Sequence, residues 1–455
     1  MMDAKRNDLR VVMFPFLAHG HVFPFLELAK GLAKKQFHIY FCSTAINLES
    51  VKQSYFFTND ETISIELVEL HLPSLPELPP HYHTTKNIPP HLMPTLLKAF
   101  QMSRSSFSDI ITTLKPDLLI YDMMQPWSAK TAASLGIPAV YFATTGSTTF
   151  SFSHHFYTHN SWDTFPHKAI WLKEYEKREM KVASETIKVE DQGEGFVYGV
   201  FQLSHDLVLI KSCRGVEGKY IDYLSTLCER KIVPTGPLIT FNAYNQESHV
   251  DDSEIMMKWL SEKREFSTLY ISFGSENYLS TERIKEIARG LELSGVNFIW
   301  VARTPLGSEV SIDDALPPGF LERVKHRGLV VRRWAPQAAI LAHRSVGGFM
   351  SHCGWSSITE SVHFGVPVVA VPLKLDQPIN ARLVVEAGVG VEMERDENGQ
   401  FDGDGVARAI REVIVEESGE RFRSRARDLS EKMKAEEEEA FDEIVGELSR
   451  ICARK

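Results

Sequence analysis

The sequence predicts an α/β protein built as two doubly wound parallel-sheet domains. Three observations lead there. Short, continuously apolar strands alternate with amphipathic helices in both halves. The alternation breaks once, at a polar stretch near the middle. The 455 residues exceed what one ordinary core accommodates. Leu9–Phe16 is the first apolar run, the pattern of a strand buried on both faces. Pro24 marks the first turn of a helix whose Phe25, Leu28, Ala29, Leu32 and Ala33 share one stripe. Phe37–Ser43 returns as a second strand and completes a βαβ unit. The strand Leu118–Tyr121, the Ala-rich segment Ser128–Leu135 and the strand Ala139–Ala143 repeat the pattern.

A second array begins after residue 265. Thr268–Phe273 reads as a strand, and Ile284, Ile287, Ala288 and Leu291 form one face of a helix. Asn297–Arg303 and Gly347–Ser351 are further strands, the latter running into another helix. Thr240–Ser253 is polar and turn-rich, so the linker is expected there. The expected domains are residues 1–239 and 254–430, with a C-terminal helix at 431–455 packing back toward the first. Within that helix Met433–Leu448, with its acidic run Glu436–Glu439, reads as a solvated face.

Composition narrows the function. Hydrophobic residues at 43% and charged residues at 24% indicate a globular chain. A net charge of −10 argues against a nucleic-acid partner, which needs a basic footprint. The five cysteines are scattered and form no CxxC pair, which argues against a disulfide framework or zinc site and for a reducing compartment. The charged start MMDAKRNDLR has no apolar core of a secretory signal, and no run reaches the ~18 apolar residues of a membrane span. A cytoplasmic monomer without a membrane partner is the expectation.

Several residues are placed for chemistry. His21, in FLAHGHVFP after the first strand, lies at the carboxyl edge where open α/β sheets bind ligands. An imidazole there is a candidate base near neutral pH; His19 competes, and a helix-start histidine without a role is the plain alternative. Asp122 ends the strand LLIYD on the same edge. It either fixes the second imidazole nitrogen or caps the helix before Pro126. His352-Cys353-Gly354-Trp355-Ser356-Ser357 follows a strand and opens a helix, whose free N–H groups and dipole favour a diphosphate. Ser357-x-x-Glu360 also spells a capping box, Asp376 before Pro378 is also a helix cap, and Trp334 is also a core tryptophan. Asp402-Gly-Asp404 spells a metal-binding DxD but follows Asn398-Gly399, so it reads as a solvated turn and no metal is expected. His154, His155 and His159 have loose metal spacing without a nearby carboxylate. With Phe150, Phe152, Phe156, Tyr157, Trp162 and Phe165 they read as an aromatic acceptor pocket or as core. Thr144, His154, His155 and Gln125 could hydrogen-bond a sugar. The first βα loop lacks GxGxxG, which disfavours a nicotinamide enzyme.

The block WAPQAAILAHRSVGGFMSHCGWSSITESVHFGVPVVAVPLKLDQ, Trp334–Gln377, resembles the signature box of the plant UDP-dependent glycosyltransferases. The resemblance implies a GT-B fold, two Rossmann-like doubly wound parallel-sheet domains facing a cleft. The donor would lie in the C-terminal domain and the acceptor in the N-terminal one. It implies His21 of the Gly20-His21 step as base and Asp122 as its partner. It implies Trp334 on uracil beside Ala335 and Gln337. Ser275 of ISFGS, His352, Gly354, Trp355, Ser356 and Ser357 would lie at the diphosphate, Glu360 at the ribose, and Asp376, Gln377 and Thr144 at the sugar. Ser356 departs from the family's usual Asn and leaves one phosphate contact in doubt. The implied reaction is inverting and metal-free, with UDP-glucose as co-substrate and no cofactor. FHIYFCSTAINLESVK, VELHLPSLPELPPHYHTT and IYDMMQPW resemble the branch-forming subgroup, which extends the sugar of a small-molecule glycoside such as a flavonoid, lignan or triterpenoid. An aglycone hydroxyl is the alternative acceptor. A nucleotide-sugar isomerase on the same scaffold is the remote one, and a pure binding module would need no His21–Asp122 pair.

Overall fold

Two all-parallel sheets organise the chain. The first contains β1 (Arg10–Phe14), β2 (His38–Ser43), β3 (Ile65–Glu69), β4 (Leu118–Tyr121), β5 (Ala139–Ala143), β6 (Leu207–Ile210) and β7 (Lys231–Pro234). Its spatial order is β3-β2-β1-β4-β5-β6-β7. The second contains β8 (Thr268–Ser272), β9 (Asn297–Val301), β10 (Gly328–Val331), β11 (Val346–Ser351), β12 (Val368–Ala370) and β13 (Gly390–Glu392), in the order β10-β9-β8-β11-β12-β13. This computed structural model describes residues 9–55, 64–86, 88–186, 200–241, 250–275, 277–303 and 311–454. Most of the charged N-terminal stretch and residues 242–249 of the expected linker lie outside them. The helix Val250–Ser261 begins within that expected linker. Among the described residues no helix is long and apolar enough to cross a membrane.

Both sheets are wound the same way. The chain builds outward from the first strand to one edge, then crosses back to the first strand's other side. Such a reversal opens a crevice at the carboxyl ends of the two central strands. In the first sheet those strands are β1 and β4; in the second, β8 and β11. Burial explains why these segments are strands: β4, β5, β8 and β11 are buried at every position, as in a sheet covered on both faces.

The first helix runs His19–Lys34 and therefore starts ahead of Pro24, not at it. Pro24 lacks only the N–H that would bond residue 20, so the helix loses one bond and continues. His21 therefore sits on the first helical turn, not in a preceding loop. Phe25, Leu28, Ala29, Leu32 and Ala33 are buried as the stripe requires.

The chain divides into two compact units. One comprises Met1–Ser161, Lys188–Tyr244 and Ala435–Lys455, the other Trp162–Ile187 and Asn245–Lys434. Two segments thus leave the half of the sequence in which they are written. The last helix, Glu417–Ala453, contributes its end to the first unit, where Ile444, Leu448 and Ile451 join the core of Val11, Phe25, Leu28 and Val140. The solvated reading of Met433–Leu448 holds for one face only, since Met433, Ala440, Ile444 and Leu448 are buried. Truncating a buried leucine removes contacts and leaves a cavity. Leu448→Ala is therefore expected to lower unfolding stability by about 2–5 kcal/mol, read by denaturant titration. An unchanged midpoint would show that the terminal helix is dispensable to this core.

Candidate active site

In the first unit the crevice between β1 and β4 brings His21 and Asp122 together. The His21 ring is hydrogen-bonded through Nδ1 to Asp122 Oδ2 at 2.8 Å. Asp122 is buried, and its carboxylate also accepts from the backbone N–H of Phe16 at 3.0 Å and of Met123 at 2.6 Å. The helix that follows is Pro126–Ser134 with Gln125 at its cap, so Asp122 does not cap it. With the carboxylate at Nδ1, that nitrogen carries the proton and Nε2 the basic lone pair. Thr144, directly after β5, places Oγ1 3.1 Å from the same Nδ1. Phe16 meets the imidazole edge-on at 5.5 Å and holds the ring upright. His19 differs: burial, and then the charge of Lys86, push its pKa down to about 3.

Other first-unit candidates are buried and engaged within the protein. Gln125 is buried and donates through Nε2 to Phe14 O, tying the end of β1 to the loop after β4. His155 is hydrogen-bonded through Nδ1 to Tyr223 Oη at 2.6 Å, and His154 packs edge-on against Phe201. Phe150 and Phe152 are core residues. Trp162 and Phe165 belong to the second unit.

In the second unit the loops after β8 and β11 meet. Gly274 and Ser275 follow β8; His352, Cys353 and Gly354 follow β11. His352 is wedged between the glycines. A Cβ on Gly274 would lie 2.8 Å from its Cε1, and one on Gly354 2.4 Å from its Nε2. Gly354 therefore makes room for an imidazole as well as for a close backbone approach. Cys353 holds φ of 66°, an unusual conformation for a residue with a side chain, and is pinned by Ser351 Oγ on its N–H. The helix Trp355–His363 starts at Gly354 without a side-chain cap, so its first N–H groups are not taken up by a capping side chain. Ser356 lies half-buried in its first turn. Ser357 lies inside the helix, which removes the capping-box reading. Instead Gln337 Nε2 donates to Ser357 Oγ at 3.2 Å and to Glu360 Oε2 at 2.7 Å. Trp334 is half-buried, not a core residue, and Ala335 beneath it is buried. Trp355 is buried.

Asp376 stands at the cap position of the helix Gln377–Ala387 but makes no capping bond. Gln377 turns its Oε1 back to accept from the N–H groups of Leu373 and Lys374, both at 2.9 Å. Sequence reasoning passed over Asn380. Its Nδ2 donates to Cys353 O at 2.9 Å and to Asp376 Oδ2 at 3.0 Å, joining the loop after β11 to the Asp-Gln pair. Only the i, i+4 spacing from Asp376 signals it.

The DxD stretch is a helix start rather than a turn. Asp402 caps Gly403–Ile414 by accepting from Gly405 N, and Asp404 pairs with the exposed Arg289. Among the described residues no group of three or more His, Cys, Asp or Glu could hold a metal ion.

Burial also sets an acid limit. It pushes His352 down to about 4, aided by Lys374, and His363 to about 4, aided by Lys434. The unfolded chain protonates these rings near 6.5. As pH falls from about 6.5 toward 4 the unfolded state binds protons that the folded state refuses, so stability falls in that window. At pH 5 the loss is on the order of 2 kcal/mol per ring. Melting temperature is expected to drop between pH 6.5 and 4.5, and His363→Gln to flatten the drop. Parallel curves for the two proteins would contradict the assignment.

The sequence matches the family description "Glycosyltransferase, N-terminal domain" over residues 7–240 and "UDP-glucoronosyl and UDP-glucosyl transferase" over 241–436. It is 49% identical to a mogroside IIIx synthase of Siraitia grosvenorii, covering 99% of this chain and 95% of the relative. It is 44% identical to a beta-D-glucosyl crocetin beta-1,6-glucosyltransferase of Gardenia jasminoides, covering 96% and 98%. A solved Glycyrrhiza uralensis UGT complexed with glycyrrhetinic acid 3-O-monoglucuronide superposes with a TM-score of 0.84 at 25% identity, covering 98% and 96%. Two parallel α/β units of GT-B type, with a full-length match, place this chain in the UDP-glycosyltransferase family of enzymes.

Proposed function

We propose that the protein transfers glucose from UDP-glucose to a sugar hydroxyl of a small-molecule glycoside, with inversion and without a metal. The observation that carries the reading is the His21–Asp122 hydrogen bond at 2.8 Å in the crevice of the first sheet. His21 Nε2 takes the proton of the acceptor hydroxyl as its oxygen bonds to C1 of the glucose. The bond from C1 to the diphosphate breaks with its electron pair, and UDP leaves. One displacement inverts C1. Asp122 stabilises the imidazolium that forms and holds the tautomer. At the leaving group, the first N–H groups of the helix Trp355–His363, which no side chain caps, and the neutral His352 ring receive the diphosphate charge. Gln337 and Glu360 serve the nucleoside with Trp334; Ser275, Ser356 and Ser357 lie toward the phosphates; Asp376 and Gln377 take the sugar hydroxyls. We place the protein in the cytoplasm as a monomer.

The acceptor class rests on the relatives. The Gardenia relative is named for a glucosylated acceptor, and the Glycyrrhiza structure holds a glycoside. A flavonoid, lignan or triterpenoid glycoside fits this pattern, and a bare aglycone hydroxyl is the competing reading. A site built to bond sugar hydroxyls leaves its polar groups unpaired against an aglycone. Matched glycoside and aglycone pairs are thus expected to differ by roughly 10²-fold or more in kcat/KM with UDP-glucose. A faster aglycone, or sugars found on separate aglycone positions by fragmentation, would favour the competing reading.

The base is tested directly. His21→Ala is expected to lower turnover by roughly 10²–10⁴-fold while UDP affinity changes little, and Asp122→Asn to lose activity with it. His19→Ala should do far less. The reverse ranking of the two histidines would remove His21 as the base.

A further inference from the structure

Glu176 is written in the first half of the sequence but belongs to the second unit. It lies in the first turn of the helix Glu174–Thr186 and is nearly inaccessible, with 1% of its side chain exposed. Both its oxygens are taken. Oε2 accepts from Arg382 Nη2 at 2.8 Å and from Lys173 N at 2.8 Å; Oε1 accepts from Arg395 Nη2 at 2.6 Å. Glu392 accepts from the same two guanidiniums, each at 2.8 Å. Two carboxylates and two guanidiniums thus neutralise one another in a buried set. Trp171 covers the Arg382 guanidinium at 4.8 Å and Tyr175 that of Arg395 at 5.5 Å.

The arginines do more than balance charge. Arg395 Nη1 donates to Pro372 O at 3.0 Å, and Arg382 Nη1 to Pro378 O at 3.3 Å. Those two carbonyls flank the loop that carries Asp376 and Gln377. Leu375 within this loop sits at φ of 55°, a conformation that needs support from outside. Glu176 joins the two arginines, as Glu392 also does, and it brings in the helix Glu174–Thr186 as the outside support.

We infer that Glu176 is a positioning residue for the donor sugar, clamping both shoulders of the Asp376–Gln377 loop through Arg382 and Arg395. The inference rests on the proposed assignment of that pair to the sugar. It has a consequence that mere structural support lacks. The uracil and diphosphate groups, Trp334, Gln337, Glu360 and His352, stand on other elements. Loosening the loop should therefore weaken binding of the sugar and spare that of UDP.

The test compares UDP with UDP-glucose by calorimetry, and donor kinetics, in wild type, Glu176→Gln and Arg382→Lys. Glutamine keeps the shape and loses the charge; lysine keeps the charge and loses the fork that reaches several acceptors. UDP affinity is expected within about twofold of wild type, and kcat/KM for UDP-glucose to fall by up to roughly 10²-fold, the scale of a misplaced substrate contact. Equal losses for UDP and UDP-glucose, no loss in either, or failure of both variants to fold would overturn the positioning role. Wild type is measured first. If it does not turn over UDP-glucose the functional reading fails, whereas an active wild type with evenly weakened variants fails only Glu176.

Discussion

The position where each sheet reverses its winding is the constraint on which the rest depends. At that point two neighbouring parallel strands end side by side, about 4.8 Å apart, and their following loops diverge to opposite faces. β1 and β4 deliver His21, on the first turn of the following helix, and Asp122, directly after its strand, 101 residues apart in sequence. β8 and β11 deliver Gly274 and His352 in the same way. No local sequence feature could bring either pair into contact; the strand order does. The narrow spacing also explains the glycines, because an imidazole seated between two loops leaves no room for a Cβ on either side.

Buried charge is the second theme, and in each case hydrogen bonds settle it. Asp122 satisfies its carboxylate with two backbone N–H groups as well as the imidazole. Glu217 is fully buried, and burial raises its pKa against the opposing pull of its hydrogen bonds. It accepts from Ser147 N, Thr148 N, Thr148 Oγ1 and Ser212 Oγ, and so closes the N-terminus of the helix Ser147–His159 from a distant helix. That fixes the end of the turn which begins at Thr144, beside His21. Leaving such a carboxylate half-satisfied would cost more than an apolar core in its place.

Strand existence was legible for several of the segments buried on both faces, though β6, buried at every position, was not read. Leu118–Tyr121 and Ala139–Ala143 were read to the residue, because continuous apolar runs signal a central parallel strand. β3 and β13 escaped notice because they are edge strands, half-exposed and short, with no apolar run to see. β10 escaped for the same reason, each of its four residues being half-buried. Trp162–Ile187 lies inside the first half of the sequence, and only long-range contacts such as Glu176 with Arg382 reveal which core it joins. Of the site, the residue types and their strand-end positions were legible. The partners that orient them, Asn380 and the arginines, were not, since each acts across a sequence gap that carries no period.

Local motifs divide on one geometrical point, where the helix begins. Read as strings, Ser357-x-x-Glu360 is a capping box and Asp402-Gly-Asp404 a solvated turn. Asp402 has the extended backbone of a cap and its carboxylate meets Gly405 N–H, so a helix starts where a solvated turn was expected. The helix at the end of β11 begins earlier, at Trp355, because Cys353 turns the chain through φ of 66° directly after His352. Ser357 is thereby carried inside the helix, where its backbone N–H is no longer a cap's to serve, and Glu360 is turned toward Gln337. A strained residue at the strand end thus shifts the helix register. That shift takes Glu360 out of a capping role, and it leaves the first N–H groups of the helix without a capping side chain.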